Sequence, residues 1–305
     1  MPTFDYVTMD VFTEQPFGGN QLAVVSDARG LDGATMQRIA NEFNYSETTF
    51  VLPPPEGSDC IATVRIFTPV SELPFAGHPN VGTAFQVARL GELFGRPAGD
   101  AFRFSEGAGP VDCRIRRDGE RLSASIAAPR PLEIGDKLDP AVIAACASLS
   151  PAAIKDANHP PITVSVGLAF VVAELQSLAD LAAARPNASA FAAANEGYRH
   201  ADFGLSLMLY ARTDGDPLKL RARMFAPLSN IPEDPATGSA AGALCAYLAS
   251  LLPESDGELA FVLDQGVEMG RPSRIEVIVE KHRAALGTVR IGGTCVEMMR
   301  GQLSL

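Results

Sequence analysis

The chain has 305 residues, 47% of them apolar and 20% charged, with a formal net charge of −11. This is the composition of a globular protein and not of a disordered one. The acidic balance, with no lysine/arginine block to offset it, argues against nucleic-acid and anionic-membrane partners. At roughly 150 residues per domain, the length points to two domains or one large one.

The opening MPTFDYVTMDVF has no basic start and no apolar core ahead of a small-residue cleavage site, so no secretory signal is expected. Period-two alternation predicts strands over 4–11, 48–52, 61–67, 102–105, 111–115 and 122–127. Further strands follow over 163–166, 170–174, 205–211, 218–225, 260–263, 274–280 and 288–291. Helical patterns cover about 34–43, 80–92, 140–148, 176–185 and 238–252. Most connections are too short for helical crossovers, so an α+β fold with mostly antiparallel or mixed sheet is expected. Gly18-Gly19 and Gly292-Gly293 read as turns.

Two of the helices are nearly without charge. Ala240 to Ala249 carries none, and Val81 to Leu90 carries only Arg89. A helix apolar all round must be buried all round, which a sheet wrapped around each helix would achieve. The longest apolar stretch, Val166 to Ala173, is far below the roughly 20 residues that span a bilayer. The five cysteines are widely spaced with no C-x-x-C pair, as expected of reduced, buried thiols in a cytoplasmic protein.

An internal repeat organises the chain. In VRIFTPVSELPFAGHPNVGTA (Val64–Ala84) and ARMFAPLSNIPEDPATGSA (Ala222–Ala240), Arg65, Phe67, Pro69, Ser71 and Pro74 match Arg223, Phe225, Pro227, Ser229 and Pro232. With a two-residue gap placed next, His78, Pro79, Gly82 and Thr83 match Asp234, Pro235, Gly238 and Ser239. A second echo sets Phe104-Ser105-Glu106-Gly107 against Leu263-Asp264-Gln265-Gly266. Two copies of one domain are expected, residues 1–128 and 129–305, with the C-terminal segment able to return to the first.

This alignment puts His78 and Asp234 at equivalent places before two helix N-termini. Domain clefts favour ligands, and helix-start N–H groups suit a substrate carboxylate. Gly77, Gly82 and Gly238 would let backbone approach a ligand. Each residue also has a plainer reading. His78-Pro79 would serve as a helix-entry turn, and Asp234 as an N-cap before Pro235 at the first helical position. Thr237 and Ser239 could also cap. Glu47 enters an apolar strand, where a carboxylate is costly unless partnered or put to use; the plainer reading leaves it exposed at a strand edge. There is no Walker A sequence, no G-x-G-x-x-G after a strand, no H-E-x-x-H and no G-x-S-x-G. The four histidines are far apart in sequence, so no metal cage is expected.

Five segments together carry a resemblance: DVFTEQPFGGNQLAVV (Asp10–Val25), NEFNYSETTFV (Asn41–Val51), RIFTPVSELPFAGHPNVGTA (Arg65–Ala84), EDPATGSAAG (Glu233–Gly242) and QGVEMGRPSR (Gln265–Arg274). The chain resembles the PhzF-like family, the phenazine-biosynthesis isomerase and its relatives. The resemblance implies two similar diaminopimelate epimerase-like domains, each a sheet curled around a central helix. It also implies proton transfer in an interdomain cleft without cofactor or metal, and a homodimer. Its acid/base glutamate falls on Glu47, its histidine on His78, and its aspartate and serine on Asp234 and Ser239. Asn20, Gly77, Thr237 and Gly238 are expected to line the substrate. Relatives in the epimerase branch use two cysteines at the helix starts; His78 and Asp234 stand there, which removes thiol-based racemisation. Two departures stand out: Gln21 where the family commonly has proline after G-N, and Leu168-Ala169-Phe170 where a basic pair is expected in the phenazine enzyme.

The reading is an isomerase moving a proton between carbons of a small carboxylated metabolite. An epimerase or lyase with the same acid/base set is the enzymatic alternative. A non-catalytic ligand-binding protein on this scaffold is the other.

Overall fold

Strand β1 (Thr3–Val11) buries every residue from Val7 to Val11, which places its end deep in a core. In this computed structural model, which describes residues 2–119, 121–198, 204–213 and 215–305, two units form. One holds residues 1–129 with 290–305, the other residues 130–289.

The first unit continues with β2 (Asn20–Val25), α1 (Gly33–Phe43), β3 (Glu47–Leu52), β4 (Ala62–Phe67) and β5 (Glu72–Leu73). Helix α2 (Gly77–Leu90), the small hairpin β6 (Glu92–Leu93) and β7 (Arg96–Pro97), and β8 (Ala101–Glu106), β9 (Gly109–Asp118) and β10 (Arg121–Ala127) complete it. β1 pairs antiparallel with β2, β2 parallel with β3, β3 antiparallel with β4, and β4 parallel with β8. β8 to β9 and β9 to β10 are antiparallel. The C-terminal strand, β19 in chain order (Ala285–Ser304), pairs antiparallel with both β10 and β1 from Arg290 onward. These pairings close a ring of eight strands. α2 packs on β1, β2, β3, β9 and β10, and every residue from Gly77 to Ala88 is buried. The wrapped helix follows from its composition: Arg89 in the last turn is its single charge, so it has no charged face to turn toward water and the surrounding sheet shields it.

The second unit comprises β11 (Glu133–Lys137), α3 (Pro140–Cys146), β12 (Ile162–Ser165), β13 (Ala169–Glu174), α4 (Leu178–Ala183) and α5 (Ala188–Asn195). It continues with β14 (Leu207–Arg212), β15 (Lys219–Ala226), β16 (Ile231–Asp234), α6 (Gly238–Leu251), β17 (Gly257–Gln265) and β18 (Ser273–His282). From β12 the pairings run antiparallel to β13, parallel to β14, antiparallel to β15, parallel to β17 and antiparallel to β18. That is the order from β1 to β9 in the first unit. α6 packs on β12, β13, β17 and β18 and is buried from Gly238 to Ala249. A separate cluster of Ile143, Leu181, Phe191, Leu207, Leu209 and Phe225 joins α3, α4 and α5 to the strands.

Several sequence expectations need correction. β2 is absent from the alternation pattern because all its residues but Gln21 are buried, and a strand buried on both faces shows no period of two. β11 is exposed throughout and α5 buries only Phe191 among alanines, so neither carries an apolar stripe. Gly292-Gly293 is no turn. It lies inside β19, paired with Ser125 and Ala124, where a Cβ on Gly292 would stand 2.7 Å from the Ser125 Cβ. α2 begins at Gly77, three residues before the expected start, because a proline in the first helical turn loses no intrahelical bond. His200 lies outside the described residues. The five cysteines are free and buried, and among the described residues no helix is long and apolar enough to cross a membrane.

Candidate active site

The first unit brings Glu47, His78 and Asn20 together. Glu47 opens β3 opposite Leu22 of β2, Asn20 opens β2, and His78 is the second residue of α2. The His78 Nε2 lies 3.4 Å from Glu47 Oε2, with the two side chains 5% and 13% exposed. The other ring nitrogen, Nδ1, lies 3.4 Å from Asn20 Nδ2, and the Ser46 hydroxyl donates to Asn20 Oδ1 at 2.8 Å. Burial lowers the His78 pKa from 6.5 to about 3, against an opposing hydrogen bond with the Gln21 backbone. The ring is therefore neutral near pH 7, and its contact with Glu47 is not an ion pair. Gly77 precedes it in the helix; no side chain caps α2, whose N-cap is Ala76.

Hydroxyls hold this arrangement. Thr83 Oγ1 donates to the Pro79 carbonyl at 2.7 Å and meets Thr49 Oγ1 at 2.9 Å. The first turn of α2 is thereby tied to β3, two residues beyond Glu47. Both threonines are fully buried. Thr83→Val keeps the shape and leaves the Thr49 hydroxyl without this partner, so it should cost about 1–3 kcal/mol in urea unfolding. An unchanged midpoint would show that the link carries no stability. Gly82 has a different role from the ligand approach expected of it: a Cβ there would sit 2.4 Å from Leu22 Cδ2 and 2.9 Å from Val11 Cγ2. It lets α2 pack against the strands.

The second unit gathers Asp234, Thr237, Gly238 and Ser239. Asp234 ends β16 and is 5% exposed. Its Oδ2 accepts the Thr237 hydroxyl at 2.5 Å. Gln265, at the end of β17, donates to the Asp234 carbonyl at 2.8 Å and to Thr237 Oγ1 at 3.1 Å, and accepts from the Thr237 N–H at 3.1 Å. Gly266 makes this fit possible at φ +72°, where a Cβ would stand 2.6 Å from the Pro235 carbonyl. The N-cap of α6 is Thr237, without a side-chain cap bond, and Gly238 and buried Ser239 are its first residues. Asp234 is thus not the N-cap; its carboxylate is bound to the side chain of the residue that is.

The repeat also needs a new register. Arg65 forms a two-point ion pair with Glu72 and lies 5.1 Å from the Phe67 ring centroid; Arg223 does the same with Glu233, at 5.0 Å from Phe225. Ile66 pairs with Leu73 as Met224 pairs with Asp234. From there the helix entries run in step, ELPFAGH against EDPATGS, so His78 corresponds to Ser239 and Leu73 to Asp234. The extra residues lie in the loop after Phe225, around Pro227–Ser229, not before the helix. Matching prolines at a constant offset had hidden this.

Glu106, Gln265 and Ser46 were not singled out as functional. Glu106 and Gln265 stand at equivalent ends of β8 and β17, since Ala62 pairs with Phe104 as Leu220 pairs with Leu263. Their signal was the F-S-E-G and L-D-Q-G echo. Among the described residues no three His, Cys, Asp or Glu side chains come together as a metal site.

The family model of phenazine biosynthesis-like proteins (PhzC-PhzF) matches residues 9–301. The chain belongs to the PhzF family. It is 37% identical over 306 aligned residues to an uncharacterised isomerase of Mesorhizobium japonicum, covering 99% of both chains. It is 34% identical to the trans-2,3-dihydro-3-hydroxyanthranilate isomerase of Pseudomonas aeruginosa, covering 98% of this chain and 99% of that one. The crystal structure of a Bacillus anthracis PhzF-family protein matches with a TM-score of 0.86 at 25% identity, over the whole of both chains. The enzyme class of this PhzF-family chain is isomerase, and its fold is the α+β, mixed-sheet fold of the family.

Proposed function

We propose that this enzyme moves a proton between carbons of a small carboxylated metabolite by acid/base catalysis, with Glu47 as the base. The observation that carries the reading is Glu47 set against a buried, neutral His78. A carboxylate in such surroundings takes a proton from carbon, the electron pair shifts through the conjugated substrate, and the proton returns at another carbon. No net oxidation occurs, so the product is an isomer. His78 is a neutral hydrogen-bonding partner for the substrate near neutral pH.

In this proposal Asp234 binds a polar group of the substrate, steadied by Thr237. The Ser239 hydroxyl and the N–H groups at Gly238 would receive a carboxylate, and Asn20 and Gly77 would contact substrate beside Glu47 and His78. We further read the two units as two copies of one epimerase-like domain. The matching pairing orders and the matching Arg65–Glu72 and Arg223–Glu233 pairs support this reading.

The test is incubation in D₂O with a panel of carboxylated metabolites, including the dihydro-hydroxyanthranilate of the Pseudomonas relative, followed by NMR. Deuterium at a carbon other than the one deprotonated is expected in at least one member. Deuterium confined to the original carbon would identify an epimerase, and loss of a substituent a lyase. Tight binding without exchange in any member would contradict catalysis.

A further inference from the structure

Buried polar oxygens gather beneath the first turn of α2, where the Asn80 side chain is the hydrogen-bonding group set against Glu106. Both carboxyl oxygens of Glu106 and the amide oxygen of Asn80 are inaccessible to solvent and make no well-formed hydrogen bond, the contact between the two side chains being the polar interaction that offsets the burial of Glu106. The Asn80 amide nitrogen is already engaged, donating to the Ala76 carbonyl at 3.0 Å. Ala76 is the N-cap of α2 and His78 lies between the two. An anionic carboxylate buried beside an amide oxygen costs several kcal/mol of unmet solvation, whereas one added proton turns a carboxyl oxygen into a donor.

The site is fixed in place rather than pliant. Glu106 ends β8, and the next residues are locked to the loop that enters α2. The Ala108 N–H donates to the Pro74 carbonyl at 3.0 Å, and a Cβ on Gly107 would stand 3.3 Å from the Pro74 Cα. At the equivalent position of the second unit stands Gln265, a neutral amide. Gln265 makes three hydrogen bonds to the entry of α6.

We propose that Glu106 is a protonated positioning residue that donates a hydrogen bond to Asn80 and so fixes the helix entry that carries His78. It does as an acid what Gln265 does as an amide. The groups facing it fit a neutral acid: Asn80 on α2, and the Cys113 thiol on β9, itself held well above its usual pKa by burial. Cys113 in turn faces Arg290 on β19, Asp112 and Cys60. Burial raises the Glu106 pKa well above its ordinary 4.5. Glu106 takes no part in the chemistry, but its link to turnover rests on the proposed role of His78.

The sign of the pH effect follows from that raised value. The folded state keeps a proton that the unfolded state releases near pH 4.5. The Glu106 contribution is therefore full below pH 4.5 and is lost as pH rises toward its folded pKa. Glu106→Gln removes this term. Its melting temperature should pull progressively ahead of the parent's as pH rises above 4.5, with deuterium exchange at pH 7 within about threefold of the parent. Glu106→Leu, folded but lacking the donor, should lose exchange roughly tenfold or more, as misplaced catalytic groups do. Parallel melting curves for parent and Glu106→Gln would overturn the proposal. So would full exchange in Glu106→Leu or tenfold loss in Glu106→Gln. A ¹³C carboxyl titration of the parent is independent of substrate and of variant folding: a Glu106 resonance still that of the neutral acid at pH 7 supports the assignment, and one titrating near 4.5 refutes it. That titration holds or fails whether or not any panel member exchanges, so it separates this assignment from the proposed function.

Discussion

Glu47→Gln should slow deuterium exchange by about 10²–10⁴-fold, the usual contribution of a positioned general base. Glutamine matches the shape of the side chain and keeps an oxygen within reach of His78, but it takes no proton from carbon. The strand around it is held by other groups: the Thr49–Thr83 contact, the pairing with β2, and the pairing with β4. Its melting temperature should therefore stay close to the parent's, and substrate binding should change little. If Glu47 were only a strand-edge residue, exchange would be unaffected. The two measurements on one variant separate the readings.

Leu244→Asp should unfold the second unit. Leu244 is fully buried at the middle of α6, a helix without a charged residue. An unpaired carboxylate there costs several kcal/mol, a large share of the roughly 5–15 kcal/mol that holds a domain together. Limited proteolysis should cut within 130–289 in the variant. Leu251→Asp at the end of the same helix is the control: Leu251 is 51% exposed, so its melting temperature should barely move. A Leu244→Asp protein melting within a few degrees of the parent would contradict a wrapped α6.

The wrapped helices were legible because composition alone demands them. Ala240 to Ala249 has no polar side to turn toward water. The register of the repeat motifs was not legible. Proline and serine recur by chance in loops, whereas the ion pairs Arg65–Glu72 and Arg223–Glu233 fix the register only in three dimensions. β2 escaped notice because burial on both faces erases alternation. His78 and Asp234 stood out through the repeat and Glu47 as a carboxylate entering an apolar strand, and the family motifs then gave them roles. Glu106 did not, since its burial depends on α2 and β9, which come together only in the fold. Asp234 as a helix cap was a sound local expectation, defeated by Thr237 standing three residues closer to the helix.

The most direct test of the account is exchange at a substrate carbon, followed by NMR in D₂O for the parent and Glu47→Gln, with both melting temperatures recorded. The account predicts deuterium at a new carbon of a carboxylated metabolite with the parent, and a rate lower by about 10²–10⁴-fold with Glu47→Gln at an unchanged melting temperature. Full exchange activity in a folded Glu47→Gln enzyme would contradict it.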